Sequence, residues 1–537
     1  MGQSSFTFLV LFILCNLFSS SHQLTYVVNA TTSSNVGLTQ LECLTVSTTE
    51  FLGTLKSTID LVSKVTSIVS KFGNVFGDFR VSNAVSDCLD LLDLSANALD
   101  WTLSASQKPK AKNNSTGNLS ADLRAWLSSA LINQDTCMDG FEGTNSIVKN
   151  VIGGSLSQLT SLVREALIMV NPTDGKNSSK GSGRGGRGGH LEGRKLSDYD
   201  GFPNWLRQND RKLLQSSGGG VAADAVVATD GTGGFTSIQD AVAAAPESSS
   251  KRFVIYIKKG VYKENVEISK KKWNIMMIGD GIDVTVISGN RNFIDGWTTY
   301  RSATFAVKGR GFIARGITFE NTAGPEKHQA VAFRSDSDLS VLYRCAMRGY
   351  QDTLYAHSMR QFFRECTITG TVDFMFGDAT AVFQNCQILG RKGLPNQKNT
   401  ITAQGRKDPT EPTGFAIQFS NFSGEPDLLA SINTTQTFLG RPWKLYSRTV
   451  IMQSFMSDVI RPQGWLEWNG NFALDSLYYA EFMNYGPGGG GGSRVKWPGY
   501  HLFNSSADAD KFTVSQFILG NSWLPSTGVK YTAGLTV

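Results

Sequence analysis

A chain of 537 residues is too long for one ordinary domain and holds enough apolar material for a large core. Its 18% charged and 10% aromatic residues are those of a soluble protein. The net charge of +6 is spread unevenly, with residues 1–171 at −3, 172–220 at +4 and 221–537 at +5. So modest an excess describes an ordinary solvated surface as well as one that meets a polyanion.

The N-terminus opens with the apolar run "FTFLVLFILCNLF" followed by "SSSH". Thirteen residues are short for a bilayer span and suit the core of a signal peptide over residues 1–21, with small residues placed for cleavage near Ser21. The missing Lys and Arg before the run leave an uncleaved anchor as the alternative. Phe6 stands where a myristoylation signal needs Ser or Thr. N-x-S/T triplets at Asn29, Asn113, Asn114, Asn118, Asn177, Asn421, Asn433 and Asn504 fit an exported glycoprotein. A secreted chain without stable membrane insertion is expected.

Residues 33–171 carry helical spacing. Leu55, Ile59, Val62, Val65 and Val69 fall on one face, as do Val81, Val85, Cys88, Leu92 and Leu99, and two further stretches run through Leu123–Leu131 and Ile147–Leu167. Four amphipathic helices predict a four-helix bundle. Cys88 and Cys137 would lie on the second helix and at the end of the third, placed for a disulfide in an oxidising compartment, while Cys43 has no evident partner.

Residues 172–220, including "GKNSSKGSGRGGRGGHLEGRK", cannot bury a core and read as a linker. Its dibasic pairs, Arg194-Lys195 and Arg211-Lys212 before Leu213-Leu214, suggest a processing protease; a solvated basic tether accounts for the composition equally well.

From Val221 the pattern changes to short β-rich runs such as "FVIYIKKG", "GITFEN", "SVLYRC" and "TAVFQNC". Asn321, Cys345, Cys366 and Cys386 each follow an apolar pair and recur at nearly even spacing. A repeat near twenty with short strands predicts a solenoid, here an all-β parallel β-helix over 221–537. Equivalent residues of successive coils stack at about 4.8 Å. Cys366 and Cys386 would then be close enough for a disulfide, with Cys345 competing for Cys366.

By the same stacking, Asp352 and Asp373, each at the same offset beyond its cysteine, face the same way from neighbouring coils. The offset from Asn321 reaches His328, beside Gln329, so one rung carries Gln329, Gln351-Asp352 and Asp373. Two stacked carboxylates among Tyr350, Tyr355, Phe374 and Phe376 cannot both ionise comfortably. One is expected to stay protonated as an acid and the other to be held anionic by a cation, for which Arg441 in "FLGRPWKLY" is available. An Asn/Asp ladder capping the turns would give similar spacing without chemistry.

The motifs "GVYKENV", "HQAVAFR", "GYQDTLY", "TVDFMFG" and "LGRPW", in that order, resemble plant pectinesterase (pectin methylesterase) over essentially all of 221–537. The helical segment, with "SDCLDLLDLS" and "TCMDGF", is similar to the inhibitor-type pro-domain of the longer plant forms, although the early cysteine pair is reduced to Cys43. Phe333 and Met375 replace commoner aliphatics beside the reactive positions. The resemblance implies Asp373 as nucleophile on a galacturonate methyl ester and Asp352 as proton donor and then base. It implies Gln329 and Gln351 as oxyanion donors, Arg441 as the group that orients Asp373, and Thr299, Gln329, Arg441 and Trp443 as substrate contacts. Tyr355, Phe376, Trp465 and Trp468 are groove candidates that would serve equally as packing.

The expected partner is therefore methyl-esterified homogalacturonan in the cell wall (the apoplast), met by a monomer without cofactor, metal or nucleic acid. The absence of a G-x-S-x-G elbow and the five scattered histidines argue against a serine triad, and no H-E-x-x-H or paired C-x-x-C appears. A polygalacturonase or pectate lyase on the same fold is the alternative enzyme, lacking its "NTD" and "DD" patterns here. An inhibitor or wall-binding protein acting through the bundle is the non-enzymatic alternative. The resemblance also implies that such a bundle, in the same chain or a separate one, can engage the enzyme's groove and suppress activity until the linker is cut after "RKLL", at about Leu214.

Overall fold

The structure is a computed structural model that describes residues 40–73, 77–109, 116–144, 147–172 and 222–536. The proposed signal peptide and the dibasic pairs of the linker lie outside the described residues.

Four helices form first: α1 (Thr48–Ser70), α2 (Phe79–Gln107), α3 (Leu119–Asp139) and α4 (Ile147–Ile168). Ser47, Asp78 and Asn118 cap the first three, each accepting backbone N–H groups of the opening turn. The apolar stripes meet in one core, where Phe51, Leu55, Val85, Leu92, Leu127, Ile152 and Leu159 are buried. A disulfide joins Cys88 to Cys137 and so ties α2 to α3. Cys43 is a free, partly exposed thiol.

Beyond residue 222 the described strands make three parallel sheets of eleven, seven and eight strands, coiled as a β-helix. The short helix Ile238–Ala244 buries Ile238, Ala241 and Val242 against the first coil. Inside, like residues stack on like: Phe305 on Phe333 at 5.6 Å between ring centroids and Phe363 on Phe383 at 4.6 Å. The seven-stranded sheet includes the strands that matter most here: β1 (Phe333–Ser335), β2 (Leu354–Ala356), β3 (Met375–Gly377), β4 (Asn399–Gln404) and β5 (Thr437–Gly440).

One corner of the coil is built the same way each time. Gly316, Arg344, Glu365, Asn385, Phe419, Gln453 and Met483 all have positive φ, between 49° and 64°. After the first six of these the following strand begins two residues on, and after Met483 Tyr485 pairs with Phe455 as an isolated bridge. This corner corrects the expected phase of the repeat. Ala346 donates to the Ile317 carbonyl just as Thr367 donates to Cys345 and Gln387 to Cys366, so Ile317, not Asn321, shares the cysteine column. The step from Ile317 to Cys345 is therefore longer than the one expected from Asn321, because a wider excursion separates those two coils.

The expected Cys366–Cys386 disulfide is also corrected: Cys345, Cys366 and Cys386 are all buried free thiols. In-register parallel strands send successive side chains out in the same direction, so the sulfurs lie side by side rather than approaching head-on. The Cys366 thiol donates instead to the Leu342 and Arg364 carbonyls and that of Cys386 to Phe363 and Gln384, and burial pushes the Cys366 thiol well above its ordinary range.

Candidate active site

The acids stand at the entry to two neighbouring strands. Leu354 of β2 pairs with Met375 of β3, which puts Asp352 and Asp373 on adjacent coils in the same register. Both occupy the left-handed region, Asp352 at φ 63° and Asp373 at φ 52°, a conformation that short polar side chains tolerate best. Their environments then part. Asp373 receives Arg441 in a two-pronged contact, Nε to Oδ1 at 2.8 Å and Nη2 to Oδ2 at 2.6 Å, and the Thr400 hydroxyl donates to Oδ1 at 2.6 Å. Three charge-assisted hydrogen bonds hold that carboxylate in one orientation. Asp352 has no such partner. Burial, and then the charge of Asp373, push its carboxyl well above the usual carboxylate range, against a smaller opposing effect of Arg441.

Both acids line a cavity of about 260 Å³ together with Thr299, Gln329, Gln351, Arg441 and Trp443. The structure thus brings together every residue that the sequence marked for catalysis or substrate contact. Among the described residues the side-chain amides of Gln329 and Gln351 have no hydrogen-bond partner, while their backbone carbonyls are fixed by Phe293 and Ala330. The Trp443 ring lies across Gly405, where a Cβ would come within 2.7 Å of it, so glycine is required at that approach. Tyr355 stacks on Phe376 at 4.1 Å, and Trp443 meets Phe376 edge-on at 6.0 Å, giving the cavity an aromatic floor. Trp468 covers the Arg441 guanidinium at 4.3 Å. Trp465 is instead core, 1% exposed and stacked on Tyr479. Among the described residues no three His, Cys, Asp or Glu side chains gather where a metal ion could be held.

The bundle closes the cavity. Thr136, Asp139, Gly140 and Glu142, from the end of α3, form its remaining wall. Thr136 is hydrogen-bonded to His357 Nε2 at 2.8 Å, and Asp139 pairs with Lys444 at 2.9 Å. Along the same face Asp135 reaches Lys407, Asp122 reaches Arg360, and Asp87 and Asp90 of α2 both reach Arg301. Sequence reasoning expected a bundle able to engage the groove but did not name the residues of this roof, because nothing in helical periodicity says which polar face will dock. It also missed Thr400, which lies further beyond Asp373 than one step of the short repeat would reach.

Residues 224–521 match the family model described as pectinesterase, and residues 14–169 match that described as plant invertase/pectin methylesterase inhibitor. The chain belongs to the pectinesterase family. Among similar pectinesterases, the pectinesterase/pectinesterase inhibitor PPE8B of Prunus persica is 66% identical over 98% of this chain and 96% of its own. The probable pectinesterase/pectinesterase inhibitor 32 of Arabidopsis thaliana is 62% identical over 100% and 98%. Among solved structures, the pectin methylesterase from carrot is 52% identical, covers 59% of this chain and 100% of its own, and has a TM-score of 0.59.

Proposed function

We propose that this pectinesterase is a secreted cell-wall enzyme that removes methyl esters from homogalacturonan, and that its bundle suppresses the reaction until the linker is cut. The observation that carries the chemistry is the unequal pair: one carboxylate oriented by Arg441 and Thr400, beside a carboxyl kept protonated by burial. Asp373 attacks the C6 ester carbonyl, and the tetrahedral oxyanion takes hydrogen bonds from the Gln329 and Gln351 amides, worth about 3–4 kcal/mol per donor. Collapse expels methoxide, which leaves as methanol with the proton of Asp352 and forms an acyl-enzyme anhydride on Asp373. Asp352, now a carboxylate, takes a proton from water as the water attacks the acyl carbon. That step frees the galacturonate carboxylate and restores both acids. Thr299 and Trp443 would hold neighbouring sugar units, the latter by stacking.

The bundle occupies the space that a polymer must cross, since α3 supplies one wall of the cavity. Cleavage after Arg211-Lys212-Leu213-Leu214 would release it. The test is methanol release from highly methylated pectin by the linker-cut chain, beside the uncut chain and a cut Asp373→Asn variant. Methanol from the cut wild type alone supports both parts of the reading. Equal release by the uncut chain removes the inhibitory part, and shortened pectin without methanol moves the activity to the glycosidic bond.

A further inference from the structure

Three acids of α2 recur at intervals of three, and each meets cations of the β-helix. Asp87 takes Arg301 Nε at 2.6 Å, Asp90 takes Arg301 Nη2 at 2.7 Å and Lys308 at 3.6 Å, and Asp93 takes Lys270 at 2.7 Å. A helix advances about 4.5 Å every three residues. The face therefore presents one carboxylate per step of roughly a pyranose unit, which is the charge pattern of a polyuronate. Of the three cations Lys308 has a partner outside the bundle as well, whereas the ion pairs of Lys270 and Arg301 are to bundle acids. Lys308 follows a strand of the seven-stranded sheet and is also paired with Glu267 at 2.5 Å, while Arg301 lies in the turn that begins after Thr299. That turn joins the two places: Thr299 lines the active-site cavity, and Arg301 and Lys308 line a second cavity of about 60 Å³ beside it, with Arg291 and Asp90.

We propose that Lys270, Arg301 and Lys308 form a binding strip for the free carboxylates of de-esterified galacturonan, and that Asp87, Asp90 and Asp93 occupy it as a carboxylate decoy while the bundle is docked. The strip runs on from the Thr299 side of the cavity, so it holds the uronate stretch next to the ester under attack. A neutral, fully esterified stretch leaves these cations without anions; a stretch already converted by the enzyme supplies them. The strip thus favours reaction beside existing product. This rests on the proposed pectin substrate.

The test uses the full chain and a fully de-esterified galacturonate decamer, with binding followed by calorimetry, so that no turnover is needed. Asp87→Asn, Asp90→Asn and Asp93→Asn together remove the carboxylates that hold the bundle on the strip, and by freeing its cations are expected to tighten decamer binding about tenfold over wild type. Adding Lys270→Gln, Arg301→Gln and Lys308→Gln is expected to abolish the gain, whereas adding the charge-keeping Arg301→Lys and Lys308→Arg retains most of it. No tightening in the first variant overturns the proposal, as does a gain that survives loss of all three cations. Loss of the gain in the charge-keeping variant overturns it as well, since disruption rather than charge would then explain the effect. Methanol release by the cut wild type is measured separately. If that fails while the binding pattern holds, the esterase reading falls and the polyuronate strip stands.

Discussion

Asp352 and Asp373 are the same side chain placed in two environments, and the difference lies in what each can accept. Asp373 takes three donors from two neighbours, Thr400 and Arg441, so removing one of them should show directly in rate. Thr400→Val deletes a charge-assisted bond of about 1.5–3 kcal/mol while keeping the side chain's shape. A fall in kcat of about ten- to a hundredfold with little change in KM is expected in the cut chain, measured by methanol release. Asp352→Asn keeps the shape and removes the transferable proton, and about 10²–10⁴ in kcat should go with it. Because the Asp352 carboxyl is raised by burial and by Asp373, it donates while protonated, and kcat should decline on the alkaline side as that proton is lost. Glu142 of the bundle adds to the rise, so the Asp352 carboxyl should lose its proton at lower pH once the bundle has left. At this scale the sequence was informative where the spacing was regular. Two aspartates set one repeat apart announce adjacent coils, whereas Thr400 reaches Asp373 from a coil of a different length and no fixed offset points to it.

Among the elements, α2 carries the most sensitive contact. Asp87 is fully buried against Arg301 and Thr298, and burial pushes its carboxyl from an ordinary 3.8 to about 6 despite that guanidinium. An acid raised on docking favours the docked state while protonated. Its contribution is whole below the free value near 3.8 and is lost as pH rises through about 6, on the order of 3 kcal/mol in total. Asp408, held low in part by Arg164 of the bundle, works in the opposite direction. Retention of the bundle by the cut chain, followed by gel filtration between pH 4 and 7, should therefore weaken toward pH 7 in wild type, with a flatter profile in Asp87→Asn. The disulfide between α2 and α3 closes a loop of 49 residues, for which chain entropy gives about 4 kcal/mol. Replacing Cys88 and Cys137 by Ala should lower the unfolding temperature of the bundle, read by calorimetry, and leave the β-helix transition in place. Helices, strands and the solenoid were legible here because their periods are local. The phase error at Asn321 arose because a repeat read from residue types alone cannot see that one coil carries extra residues before its corner.

At the scale of the molecule, bundle and β-helix meet through ion pairs, several of them partly exposed, such as Lys407 with Asp135 and Lys444 with Asp139, and through an apolar cluster that joins Tyr300, Val331, Tyr355 and Phe376 to the bundle core. Such pairs are screened by salt. Release of the bundle from the cut chain should accordingly rise as sodium chloride is raised from about 0.05 to 0.5 M, a range over which the Debye length shrinks severalfold. If the two parts stay together throughout, apolar packing such as that of Phe79 on Trp297 dominates instead. The presence of two domains could be read from composition; which face of one covers the other could not, because docking depends on side chains that are polar on both partners. The repeated positive-φ corner has a consequence for how such a protein can change. The short coils that run from Cys345 to Cys386 are succeeded by longer ones, from Cys386 to Ser420 and from Ser420 to Ser454. Yet the strand that follows the corner begins in register each time. Extra chain is shed sideways, in 391–398, 405–413 and 441–447, and the last of these carries Arg441, Trp443 and Lys444. The corner works as a reset point for insertions: the chain can lengthen on the catalytic side, and so alter what the groove grips, without turning a single downstream residue out of the core.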